Sequence, residues 1–120
     1  MDIYRENNNI VGCCSSFLRA AEMSKPPLYL ISSMANLLNR EREVIDKMDL
    51  AQRAALFKPL ARLMEASLSS ASATDLSRLA WLYLHVGDER RAFDVAEIGL
   101  ERDPDNLYCQ NLVDKLCRHA

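Results

Sequence analysis

The chain has 120 residues, of which 49% are apolar and 27% charged, with only three glycines and four prolines. That is long and apolar enough for one domain with its own core, and it excludes a disordered or collagen-like chain. Fifteen basic against seventeen acidic residues give a net charge of −2, so no global field favours nucleic acid or an anionic membrane.

No apolar run approaches the roughly 18 residues of a membrane span, and the start, "MDIYRENNNIVGCCSSFL", has neither a basic leader nor a long apolar segment. A cytoplasmic protein without membrane contact is expected. Cys13, Cys14, Cys109 and Cys117 form neither paired C-x-x-C elbows nor zinc-finger spacing. Cys109 and Cys117 are instead expected as small buried hydrophobes on the apolar stripe of a helix. His119 follows Cys117 by two residues, but one Cys-x-His at a chain end makes a poor metal site, and no metal is expected.

Every long segment reads as helix, and none shows sustained period-two alternation. All-α is the expected fold class. In chain order, Ile10, Cys14, Phe17, Leu18 and Ala21 follow helical spacing behind Asn7, Asn8 and Asn9, which suit a cap. A second helix is expected from Pro27, with the stripe Leu28, Ile31, Met34, Ala35 and Leu38. It either turns near Asn39 or projects the charged "NRERE" stretch into water before Val44 and Ile45 resume the apolar pattern. The pairs Glu43/Lys47 and Arg42/Asp46 suit a solvated face. Alternating acids and bases there argue against a nucleic-acid surface made of Arg40, Arg42, Lys47, Arg53, Lys58 and Arg62.

Leu50, Ala54, Phe57, Ala61, Met64 and Leu68 make one further stripe, interrupted by Pro59, where a kink or break is expected with Pro59 opening a new helix. The small, polar "SLSSASATD" follows, with Thr74 or a nearby serine as cap. Helix 75–86 carries Leu76, Leu79, Ala80 and Tyr83 on one face; Gly87 ends it and Asp88 caps the next. Helix 89–102 presents Ala92, Ala96, Gly99 and Leu100, a mostly small face that permits close approach of two helices. Asp103-Pro104 stops it, and helix 107–118 sets Cys109, Leu112, Val113 and Leu116 on one side.

On a 34-residue frame from Ala73, this helix pair resembles a tetratricopeptide repeat. Leu79-Ala80 stand at the Leu-Gly/Ala pair, Tyr83 at the aromatic, Gly87-Asp88 at the turn, Ala92 at the small position and Asp103-Pro104-Asp105-Asn106 at the closing turn. Leu76 replaces the usual tryptophan, and Ala96 and Gly99 stand where a large residue and an alanine are preferred. An earlier frame over residues 28–61 aligns Met34-Ala35, Ala54 and Pro59 but puts Lys47 at a position for a small side chain. The expected organisation is therefore a lead-in and first helix (1–25), a helical segment that is a degenerate repeat at most (26–72), the repeat-like pair (73–106) and a capping helix (107–120). Together they would form an antiparallel helix-hairpin stack, because one repeat cannot bury its own faces.

The resemblance implies a groove lined by the first helix of the pair, here Thr74, Ser77, Arg78, Trp81, Leu84 and His85, that binds a peptide or helix of another protein. Arg78 and Trp81 are the informative members, since arginine and tryptophan are enriched at binding hot spots; burial of Trp81 against helix 50–68 is the competing expectation. Ser77 and Trp81 stand where the carboxylate-clamping members of the family carry lysine and asparagine, which disfavours that role. The chain lacks a phosphate-cradling glycine loop and an H-E-x-x-H motif, so no catalytic residue and no cofactor is expected. The expectation is a non-catalytic interaction module, an adaptor or assembly chaperone, with an oligomerising or regulatory C-terminal domain of a larger protein as the alternative and self-association as its sign.

Overall fold

The computed structural model describes residues 3–117, with side-chain surroundings from Ile10 onward; His119 lies outside the described residues. The described chain is all-α, with helices α1 (Ile3–Met23), α2 (Leu28–Arg40), α3 (Arg42–Lys47), α4 (Leu50–Glu65), α5 (Ala73–His85), α6 (Glu89–Arg102) and α7 (Leu107–Cys117), and one 3₁₀ turn at Leu68–Ser70.

Local chemistry accounts for most boundaries. Asp49 and Ser72 open α4 and α5 with full capping boxes, paired with Gln52 and Asp75, so two otherwise unpartnered helix donors are satisfied at each end. Asp88 caps α6 by accepting from the Arg91 N–H at 3.2 Å. Gly87 has φ of +83°, the left-handed conformation that ends α5 at low cost only in glycine. Asn106 accepts from the Cys109 N–H at 3.0 Å and so starts α7.

Three boundaries differ from expectation. Helix α1 begins at Ile3 and runs through Asn7, Asn8 and Asn9 rather than starting behind them. Pro59 neither breaks α4 nor opens a new helix, since α4 is continuous from Leu50 to Glu65. The carbonyl deprived of its partner belongs to Ala55, an exposed residue, and packing of α1, α2 and α5 along α4 offsets the lost bond. That continuity also removes Pro59 from the closing-turn position of a frame over 28–61. The interruption expected near Asn39 falls at Glu41, whose backbone (φ −92°, ψ 62°) separates α2 from the short α3.

Helix α5 is the central element and packs against α2, α4, α6 and α7. Contact on so many sides explains why it buries more than the expected stripe. Leu76, Leu79, Ala80 and Tyr83 are buried as expected, and Ala73, Ser77 and Leu82 are buried with them. Its partner α6 buries Ala92, Val95, Ala96 and Gly99 and leaves Leu100 half-buried, a shift of the expected face toward Val95. Helix α7 covers the far side of the pair, and α1 packs on α4 through Cys14 and its apolar neighbours. Cys117 is exposed, not on the buried stripe, whereas Cys109 is fully buried and donates its S–H to the Ala73 carbonyl at 3.4 Å.

Side chains tie the helix ends together. Arg53 donates to the carbonyls of Ile45 at 3.1 Å and His85 at 3.4 Å, placing a cation at the C-terminal ends of α3 and α5. Glu65 accepts from the Tyr83 hydroxyl and from Arg91, the latter in a paired contact at 2.8 and 2.9 Å. Burial pushes the Glu65 carboxyl up, but those hydrogen bonds outweigh it and hold the group below the usual carboxylate range.

Candidate functional site

Helices α2, α5 and α7 leave a groove between them, and its upper part is a cavity of about 240 Å³. Asn36, Asn39 and Arg40 of α2, Arg42 at the start of α3, Thr74, Ser77, Arg78 and Trp81 of α5, and Tyr108 of α7 line it. A second cavity of about 220 Å³ continues past Trp81, between Arg42, Ile45, Asp46, Leu84, His85 and Lys115. The six residues expected from the first helix of the repeat-like pair are thus split. Thr74, Ser77, Arg78 and Trp81 face the upper cavity, and Trp81, Leu84 and His85 face the lower one.

Their availability is not equal. Ser77 is buried and spends its hydroxyl on the Thr74 carbonyl at 2.6 Å, so it belongs to the floor and offers no free donor to a partner. His85 is also a wall residue. Its Nε2 is buried without a hydrogen-bond partner, and its ring packs against Phe57 at 5.4 Å and Trp81 at 5.6 Å between centroids. Burial, with the charges of Arg53 and Arg42 next, pushes the imidazole down to about 4, so it is neutral near pH 7. Leu84 is half-buried and packs on the core.

Trp81 is neither free nor fully buried. It packs against the core on one side, while the Arg42 guanidinium lies 5.6 Å and the Lys115 ammonium 5.1 Å from its ring centroid. Both distances fall within cation–π range. The ring therefore acts as a platform on which α3 and α7 each place a positive charge.

Arg78 is preorganised by neighbours across the groove. It donates to the Ser32 hydroxyl at 2.9 Å, and that hydroxyl donates to Asp75 at 2.6 Å. The Arg78 backbone carbonyl accepts from the Asn39 amide at 3.1 Å. One of five guanidinium N–H groups is used in this way, and the fork keeps donors for a ligand. Among the described residues the ion pair within 4.0 Å is Arg91 with Glu65, on the opposite side of α5, so Arg40, Arg42, Arg78 and Lys115 have no carboxylate partner at that distance.

Sequence reasoning missed the α2, α3 and α7 contributions. Arg40 and Arg42 read as part of a solvated charged face because no sequence-local signal marks the break at Glu41 as turning both toward α5. Tyr108 offered a signal: it lies off the apolar stripe of α7 and is 62% exposed, next to Leu107 at 67%, so an aromatic was placed where packing does not require it.

No family model matches the chain, and neither a curated protein nor a solved structure matches it.

Proposed function

We propose that the chain is a non-catalytic protein-interaction module of the tetratricopeptide type, an adaptor or assembly chaperone, and that the α2–α5–α7 groove receives a peptide or helix of another protein. The observation that carries this reading is the open groove itself. It combines a half-buried tryptophan, an exposed tyrosine and a preorganised arginine, residue types that supply large contact area and forked hydrogen bonding at interfaces. The antiparallel α5–α6 pair, joined through Gly87 and flanked by α4 and α7, supports the repeat assignment.

The test is a pull-down from the native cell with the wild-type chain, Trp81→Ala and Tyr108→Ala, followed by affinity and unfolding measurements on the same proteins. Trp81→Ala is expected to weaken the complex by at least about 2 kcal/mol. Tyr108→Ala, at an exposed site, is expected to weaken it without moving the unfolding midpoint. A partner held equally by all three proteins refutes the groove as its site. If Trp81→Ala instead removes about 3–5 kcal/mol of stability and leaves affinity unchanged, the tryptophan is a core residue.

A second reading, an oligomerising or regulatory domain, draws on Tyr29 and Leu30, exposed at 69% and 42% on the outer side of α2. Sedimentation separates the two, because a Tyr29→Glu variant would lose self-association while keeping the groove intact.

A further inference from the structure

We infer that the upper cavity selects an anionic side chain, a carboxylate or phosphate monoester carried on the partner polypeptide, gripped by Arg40, Arg42 and Arg78. This deepens the groove reading and rests on it. The argument begins at Glu41. Residues two apart in an unbroken helix point about 200° away from each other, so a continuous α2–α3 helix could not direct both Arg40 and Arg42 into one pocket. The non-helical Glu41 removes that constraint, and both arginines line the same cavity as Arg78.

The cavity lining contains three guanidinium groups and no carboxylate. Lys115 adds a fourth positive charge across Trp81, whereas the acid of the lower cavity is Asp46. Like charges gathered in a concave site raise the local concentration of anions, and guanidinium forks match the paired oxygens of carboxylates and phosphates. Arg78 is held in place by Ser32 before any ligand arrives, which reduces the ordering cost of binding. The volume of about 240 Å³ suits one acidic side chain rather than a folded element. The exposed Tyr108 in its lining offers apolar contact to the residues flanking that side chain, which is why the anion is assigned to a polypeptide and not to a free ion.

Trp81 is the chain's single tryptophan, so its fluorescence reports from the groove. Emission would be titrated at constant ionic strength with hexaglutamate, a serine peptide carrying one phosphoserine, inorganic phosphate and hexaglutamine. A saturable change with hexaglutamate or the phosphopeptide is expected, at least tenfold tighter than with inorganic phosphate and absent with hexaglutamine. Arg42→Gln and Arg78→Gln should each weaken it at least tenfold, and Arg90→Gln on α6 should not. Equal binding of inorganic phosphate overturns the polypeptide assignment, and equal binding of hexaglutamine, or no saturable response to either anionic peptide, overturns the anion assignment. If a cellular partner is lost with Tyr108→Ala while the anionic peptides stay silent, the groove reading stands and this inference falls.

Discussion

Gly99 occupies the place where the helix pair meets α7, and a single methyl group there tests the packing. A Cβ built on Gly99 would lie 2.5 Å from the Cys109 sulfur and 3.6 Å from the Ala73 carbonyl oxygen. Replacing glycine by alanine within a helix gains about 1 kcal/mol. Forcing the new methyl against a buried neighbour loses about 1–3 kcal/mol. Cys109 is fully enclosed and bonded to Ala73, so displacing its sulfur breaks that hydrogen bond and presses on packed neighbours. A net loss of about 1 kcal/mol is expected for Gly99→Ala. Cys109→Ala alone, by deleting one buried heavy atom, should also lose about 1 kcal/mol. In the double variant the new methyl fills the space of the missing sulfur, with the remaining Cys109 Cβ at an ordinary 3.6 Å. Its stability should return close to wild type, which implies a coupling of about 2 kcal/mol. Urea unfolding followed by far-ultraviolet circular dichroism gives all four stabilities. Additivity within about 0.5 kcal/mol, or a Gly99→Ala protein more stable than wild type, refutes the contact.

Ala92 is fully buried, and Ala92→Leu should destabilise by about 1–3 kcal/mol through overpacking; an unchanged thermal midpoint would show that α6 does not pack there. His85 should make the protein acid-sensitive. Its folded value of about 4 lies below the ordinary 6.5, so the unfolded chain binds the extra proton first and stability falls as pH drops through that window, by at most about 1.4 kcal/mol per unit. His85→Phe should flatten this part of the profile and leave the further loss at lower pH as Glu65, held below its ordinary value, takes up its proton. Under native conditions a thiol reagent should modify the exposed Cys13 and Cys117 quickly and reach Cys14 and Cys109 only on unfolding; burial, with Cys13 second, pushes the Cys14 thiol up to about 11. Fast reaction of all four would refute the buried placements.

Local physical chemistry made much of this protein legible from its residues. The helix periodicity, the glycine that closes α5, the aspartate that caps α6 and the Asp-Pro that stops it all act within a few residues of where they stand. So do the small residues that let α6 lie close to its neighbours. What required the tertiary structure is what depends on opposing groups far away in sequence. Pro59 stays inside a helix that α1, α2 and α5 pack against. Ser77 is floor rather than contact because α5 is surrounded by four helices. Trp81 becomes a platform because Arg42 and Lys115, separated in the chain by 73 residues (115 minus 42), converge on one ring. The groove is shared among α2, α3, α5 and α7, and no single segment encodes it. A periodic pattern states which face of a helix is apolar, but which neighbour covers that face, and which charges are left without a partner, is fixed only when the helices pack.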